Sequence, residues 1–511
     1  MKRLFAALVC ASFLLSTGAQ AGTGVPAAGD SNAATDPDLQ KKLAVVAGQA
    51  LVDLQPYDYL EELSDDIGGR VTGSPQAAAA IAWGVQKMKA IGLENAHTEP
   101  FQLSRGWTRI SASAELIEPI HHRVTLDSMG WVGSTPPGGA QGQIVAVNLY
   151  QIADEMKNNS ANWAGKILLV VQKGDPPEDR RALFGKFGPF LKAAYDAHAI
   201  AVLGGQGGSK AEGMNLTHTG VVGYDTVYDI PVVNLTAEDQ DQIERFLDRG
   251  KTVRMMINVQ NRLGGPVETA NVVGEIRGTQ NPEQVIVVGG HLDSWDLAEG
   301  STDNGMGTTT TLGSAEAIVL SGFKPRRTLR FVLFTGEEQG LLGSLAYAKM
   351  HKDELSNHVA AVILDNGQGP VKGFSLGGRD DLIPAIKDFA KELRNFGNLD
   401  VDDRSIFGTD TGPFTLAGLP GINLDQDSPE YKYTHHSIAD TFDKVSPDAL
   451  ARDTAVMALT AFWIADRADR LASPWPPEKT ARKLIDQKQD IMLKSNGLWP
   501  FGDLGSEPPK Q

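Results

Sequence analysis

His291 closes an apolar run, and Asp293, Asp296, Glu299 and Asp303 follow it within "GGHLDSWDLAEGSTDNG", residues 289–305. Two later runs end in the same way. "RTLRFVLFTGEE" finishes on Glu337 and Glu338, and "VAAVILDNG" carries Asp365 just past its apolar core. A late histidine pair, His435 and His436, stands in "YKYTHHSIADT". Imidazole nitrogens with carboxylate oxygens and no thiolate make a donor set suited to zinc and, less selectively, to cobalt or manganese. Two such ions about 3.5–4 Å apart would clamp the attacking and leaving oxygens of a hydrolysis. Asp303 has two oxygens to share between them. Three carboxylates against two divalent cations leave a net charge of about +1, which favours a deprotonated water near neutral pH. A carboxyl outside the ligand set must then take that proton and pass it to the leaving amine. Glu337 and Glu338 can divide the two tasks, because neighbouring side chains at a strand end diverge.

Each of these residues has a plainer reading when taken alone. A single His or Asp at a strand end is usually structural. "GEEQG" suits a solvated turn, and the "DNG" triplets at 303–305 and 365–367 are turn signals. Their coincidence in order is what favours a metal. The spacing does not say which bond is cut.

Ligands so far apart in the chain converge only if regular elements carry them. "QVIVVGGH", "RTLRFVLFTGEE" and "VAAVILDNG" are short, β-rich and nearly continuous in apolar residues. Strands buried on both faces of a parallel sheet have this texture. The stretches 307–320, 341–354 and 379–395 suit crossover helices, and such sheets bind ligands at the carboxyl ends of their strands. The expected fold class is α/β, a mixed, mainly parallel sheet flanked by helices. Residues 39–91 read as helical with a turn at "DIGGRVTGSPQ", and 106–128 read as strands. From 129 onward the texture changes to short β-rich runs between Gly-rich turns, with helices expected at 184–197 and 237–248. An inserted β-rich α/β domain over 129–261, within a discontinuous catalytic domain of 39–128 and 262–473, is the simplest division. The Pro-rich stretch 474–511 reads as a peripheral tail.

With 511 residues the chain is too long for one simple core. Its 63 acidic against 47 basic residues argue against a nucleic-acid partner, which would normally show a basic patch. Residues 1–21 have the charged start, apolar middle and Ala-Gln-Ala end of a secretory signal peptide, and 22–38 read as a flexible leader. The single cysteine, Cys10, falls inside the signal, so the mature chain would carry no disulfide. No later run is apolar enough for a transmembrane helix. The expectation is an exported protein, periplasmic or secreted, and lysosomal or extracellular if eukaryotic. The sequons at Asn158, Asn215 and Asn234 would matter only in that last case.

In that order, "GGHLDSWDLAEGSTDNGMG", "RTLRFVLFTGEEQGLLGS", "VILDNG", "FGTDTGPF" and "YTHHSIADT" resemble the co-catalytic zinc exopeptidases, which include bacterial aminopeptidases and glutamate carboxypeptidases. Within that family the likeness is strongest to the plasma glutamate carboxypeptidase (carboxypeptidase Q) branch. It covers most of 40–465, and 129–261 looks like the protease-associated domain of such enzymes. The resemblance implies two zinc ions, one on His291 and Asp365, the other on Glu338 and His436, with Asp303 bridging and Glu337 as general acid/base. His436 is implied over His435 because the family's histidine precedes [ST]-x-x-[DE], here Ser437 to Asp440. Asp293 would orient the His291 ring. Many members carry a tyrosine where this chain has His435, so His435, or else Tyr431 or Tyr433, would donate to the oxyanion. Asp410 would face the substrate's ammonium or else cap a turn, Arg379 reads as a solvated surface residue sooner than a partner for a substrate carboxylate, and Asp296 and Glu299 read as loop acids.

The activity implied is a di-zinc exopeptidase cleaving small unblocked peptides, dipeptides foremost. Its partner would be a small peptide, with no nucleic acid and no integral membrane segment, and a homodimer is compatible. The alternatives are a broad aminopeptidase on longer peptides, a single-zinc glutaminyl cyclase, and a binding ectodomain that has lost its metals. Product length, metal count and retention of the ligands separate them.

Overall fold

The computed structural model describes residues 37–177, 183, 185–204, 213–223 and 227–504. The expected signal peptide and residues 22–36 of the leader lie outside the described residues; the leader's last two, Pro37 and Asp38, already belong to a helix, Pro37–Val52. A second long helix, Pro75–Ile91, starts where Ser74 Oγ accepts from the Ala77 amide with Pro75 behind it, and stops at Gly92 in the left-handed region.

The chain then enters β1 (Glu94–Leu103), leaves it to build a second sheet, and returns. That second sheet comprises β2 (Trp107–Glu118), β3 (His122–Val124), β4 (Leu126–Ser128), β5 (Ala140–Asn148), β6 (Lys166–Val171), β7 (Ala201–Leu203), β8 (Val232–Leu235) and β9 (Arg254–Leu263), in the order β3-β2-β9-β5-β6-β7-β8-β4. The first sheet resumes with β10 (Val267–Ile276), β11 (Asn281–His291), β12 (Arg327–Phe334), β13 (His358–Ile363), β14 (Val371–Ser375), β15 (Asp400–Asp402) and β16 (Gly421–Gln426). Its order is β1-β10-β12-β11-β13-β16-β14-β15. The strands at 107–128, which lie before the expected boundary at 129, are therefore hydrogen-bonded into the second sheet. β1 pairs antiparallel with β10 and β2 with β9, so the excursion leaves and rejoins along one ribbon. The ribbon bends where Gly106 and Gly264–Gly265 exchange backbone hydrogen bonds. A Cβ on Gly106 would come within 2.8 Å of Val267 Cγ2, which explains the glycine.

The centre of the first sheet, β12-β11-β13-β16, is parallel. β11 is a switch point, because the chain runs from it to β12 on one side and then crosses to β13 on the other. Ile286 and Val288 face one core with Leu329, Phe331, Val362 and the helix Pro447–Asp466. Val285 and Val287 face another with Val332, Phe334, Tyr347 and Phe414. Both faces are covered, which accounts for the continuous apolar runs. The expected crossover helices form as Met306–Leu320, Leu342–Met350 and Ile383–Glu392. The C-terminal stretch folds into Pro477–Asp486 and Asp490–Ser495, which pack on Phe407 through Ala481, Leu484 and Leu493.

Candidate metal centre

All four parallel strands deliver a potential ligand at their carboxyl ends. β11 ends on His291, Glu337 and Glu338 follow β12, Asp365 follows β13, and His435 and His436 follow β16. The loop from His291 to Asp303 is held from beneath by Arg70, whose side chain is fully buried. Its Nε donates to the Leu292 carbonyl (2.7 Å), Nη1 to Gly68 and Glu299 (3.1 and 2.6 Å), and Nη2 to Gly300 (2.9 Å). Burial lowers its pKa to about 10 against the opposing fields of Asp440, Asp293, Asp303 and Glu338. Asp440 grips the same loop, accepting from the Thr302 amide at 2.6 Å and the Asp303 amide at 3.2 Å. Asn304 Nδ2 ties the turn to the Leu364 carbonyl, one residue before Asp365.

The side chains so placed form two groups that share Asp303. Its Oδ1 lies 3.2 Å from His291 Nε2, which is also 3.2 Å from Asp365 Oδ1. Its Oδ2 lies 3.3 Å from His436 Nε2, which is 2.9 Å from Glu338 Oε2. The ligand atoms of His291, Asp303 and Asp365 all fall within 4.8 Å of one another, as do those of Asp303, His435 and His436. His435 stacks on His436 at 3.8 Å between ring centres, with its Nε2 3.8 Å from Asp303 Oδ2. Geometry thus brings both histidines of the pair to the cluster.

The outer contacts fix tautomers and orientations. His291 Nδ1 is 2.9 Å from the Asp293 carbonyl, which can only accept, so Nδ1 carries a proton and Nε2 is the nitrogen left to face the carboxylates. Asp293 receives the Thr72 hydroxyl at 2.7 Å and the Glu337 amide at 3.3 Å, joining β11 to the turn after β12. Trp295 Nε1 donates to Glu338 Oε2 at 2.7 Å.

Burial opposes a charge on His291, yet Asp365, Asp293 and Asp303 raise its pKa well above the ordinary value, so Nε2 must hold either a proton or a cation between those carboxylate oxygens. The acids say the same. Burial, reinforced by Asp365, Glu338 and Asp410, pushes Glu337 well above the usual carboxyl range. Glu338 is raised likewise by burial and by Asp303. Asp365 rises to about 6, through burial first and then through Asp303 and Asp293. Burial opposes the charge on Asp303 as well, yet the hydrogen bond from His291 and the nearby His436 and His435 hold its pKa below the ordinary value. Asp303 Oδ2, Glu337 Oε1 and Glu338 Oε1 are buried without a hydrogen-bond partner. Oxygens crowded and orphaned in this way fit divalent cations, which would take the place of the protons they otherwise need.

Asp410 is fully buried beside this cluster; burial lifts it to about 7, against His291 and the Ser344 hydroxyl, which hold it down. Tyr431 lies against His435 with ring centres 4.9 Å apart, and burial and the charge of Asp303 raise its pKa well above 10. Tyr433 instead carries Lys432 over its ring. Arg379 is not a surface residue. It is 2% exposed, bonded by Nε and Nη2 to Asp381 at 2.8 Å and stacked on Trp475, because the C-terminal stretch covers it. Asp296 and Glu299 are half-buried and structural rather than solvated: Asp296 pairs with Arg109 of β2 at 2.9 Å, and Glu299 accepts from the Phe442 amide at 2.6 Å. Asn234 is 5% exposed and bonded to the His218 carbonyl, so its sequon is inaccessible in the folded chain. Sequence reasoning gave no role to Arg70, Thr72, Trp295 or Asp440. Only Asp440 had a signal, as the last position of Ser437–Asp440.

The family model described as "Peptidase family M28" matches residues 271–461. Carboxypeptidase Q of Bos taurus is 30% identical over 436 residues, covering 85% of this chain and 90% of that protein. The crystal structure of a peptidase M28 precursor from Shewanella amazonensis superimposes with a TM-score of 0.76 at 28% identity, covering 86% of this chain and 99% of the other. A zinc aminopeptidase from Bacillus subtilis has the same fold, with a TM-score of 0.62 at 20% identity over 82% of this chain and 97% of its own.

Proposed function

Since this chain belongs to peptidase family M28, a family of metallopeptidases, we propose that it is a di-zinc exopeptidase that hydrolyses small unblocked peptides, dipeptides foremost. The observation that carries the reading is the division of Asp303. One of its oxygens belongs with His291 and Asp365, the other with His436 and Glu338, as a bridge between two cations requires. Zinc in such positions supplies a Lewis acid and water of lowered pKa.

The rest is the work of the chain. Glu337 lies outside both groups with Oε1 unpartnered, and its burial raises the proton affinity of its carboxylate, as a proton acceptor needs. It takes the proton of the attacking water and returns it to the leaving nitrogen. His435, or Tyr431 beside it, donates to the oxyanion. Asp410 faces the substrate's ammonium. As a buried acid outside both ligand groups, it favours a free, positively charged N-terminus. Like relatives with a protease-associated domain, the second sheet would narrow the cleft and limit substrate length. Residues 1–21 would direct export.

The test is hydrolysis of one free dipeptide by zinc-loaded mature protein, beside its N-acetylated and C-amidated forms. The expected result is cleavage of the free dipeptide alone, with two zinc ions per chain by elemental analysis. Equal cleavage of the amide would make it an aminopeptidase that ignores the C-terminus. No cleavage with zinc bound would overturn the peptidase reading.

A further inference from the structure

The second sheet reaches the metal cluster through residues 217–219, which run beside the histidine pair. The Thr219 amide donates to the His436 carbonyl at 2.8 Å, and the Ile438 amide donates back to Thr217 at 3.3 Å. His218 Nδ1 lies 2.9 Å from the His435 carbonyl. A carbonyl only accepts, so Nδ1 is the protonated nitrogen of this imidazole. The two peptide planes that flank the His436 Cα are therefore both held from the second sheet. They need holding, because His436 has φ +57°, in the left-handed region that non-glycine residues seldom adopt. The 217–219 segment is itself anchored. Asn234 Nδ2 of β8 donates to the His218 carbonyl at 3.1 Å, and Thr219 Oγ1 donates to the Ser128 carbonyl of β4 at 3.0 Å.

We propose that His218 is a positioning residue for the metal position formed by Asp303, Glu338 and His436, so that the second sheet governs whether that position fills. The inference rests on the two-metal reading above. Fixing the His435 carbonyl fixes the direction in which the His436 side chain leaves the backbone. Without that tether the peptide relaxes toward an ordinary conformation and swings Nε2 away from Asp303 and Glu338. Among the described residues, none of the bonds of the segment given above reaches His291, Asp303 or Asp365, so the position they make is left intact.

The experiment is equilibrium titration of metal-free, full-length protein with cobalt, read by visible absorption and checked by zinc competition. Wild type is compared with His218→Leu and His218→Asn. The Asn amide stands where Nδ1 stood and keeps the donor. His218→Leu should bind one metal as wild type does and the second roughly 10–100-fold more weakly, the usual loss when a group that orients a ligand is removed. His218→Asn should keep both. If His218→Leu does not fold, His218→Gln, whose amide lies one bond too far out, reads the same loss. Two metals bound at wild-type affinity in His218→Leu would overturn the inference and leave the two-metal reading standing, as would equal weakening in His218→Asn. Fewer than two metals on wild type would overturn the two-metal reading, and this inference with it.

Discussion

Asp303 and Glu337 are both buried acids, yet the structure gives them opposite work. Asp303 is kept ionised by His291 and the histidine pair, whereas Glu337 is pushed toward its neutral form by burial and by Asp365 and Glu338. Two acids whose surroundings drive them apart are the usual mark of a ligand beside a proton carrier. Replacing Glu337 with Gln should therefore leave metal content unchanged while lowering kcat by roughly 10²–10⁴, the worth of general acid–base catalysis. Asp303→Ala should instead lower the occupancy of both positions, read by elemental analysis after dialysis. Full occupancy there would exclude a bridge. Glu337 was legible in the sequence because it stands just past an apolar run, and Asp303 because it lies in the acid-rich loop that follows another. Arg70 was not, because its partners lie mostly more than 200 positions away and nothing local marks a buried arginine.

At the scale of elements, strands buried on both faces announce themselves by continuous apolar runs, and the central strands β11, β12 and β13 form where those runs lie. The sheet to which a strand belongs is a different matter. β2 alternates in burial as a strand of either sheet could, and only its pairing of Trp107 with Leu263, far along the chain, assigns it to the second. Helices hide similar information. The helix Pro447–Asp466 is almost wholly buried and carries Asp453 inside the core. Burial pushes that carboxyl up to about 8, although it accepts from the Val371 amide at 2.7 Å and Gln426 Nε2 at 2.9 Å. Its folded pKa lies above the unfolded one, so from about pH 4 to about pH 8 the folded state keeps a proton that the unfolded chain has lost. The contribution to stability is full below that window and falls as pH rises through it, by at most about 1.4 kcal/mol per pH unit. Asp453→Asn keeps an acceptor for Val371 and should remove that slope. Urea unfolding at a series of pH values checks it, and parallel stability profiles for variant and wild type would show that Asp453 does not titrate in this window.

Over the whole molecule, the two sheets are joined at the metal cluster. Trp107 and Trp131 stack at 5.7 Å between ring centres, and Trp295 meets both edge-on while bonding Glu338. Arg109 of β2 joins the wedge, holding Asp296 of the metal loop and Thr219 of the segment beside the histidine pair. A ligand that binds only the folded cluster stabilises everything cooperatively linked to it. Thermal unfolding of wild type, followed by far-UV circular dichroism and by tryptophan fluorescence, should therefore be one transition that moves as a whole when zinc is removed. Trp131 is 1% exposed, and its indole donates to the Arg105 carbonyl at 2.9 Å. Trp131→Ala should cost about 3–5 kcal/mol, as large-to-small changes in a packed core do. It should also split the transition, leaving only the first sheet responsive to zinc. A single transition in that variant, still moving as a whole with zinc, would mean that Arg109 and residues 217–219 suffice to couple the sheets. In that case the tryptophan wedge adds stability while the hydrogen bonds to the metal loop and the histidine pair carry the linkage.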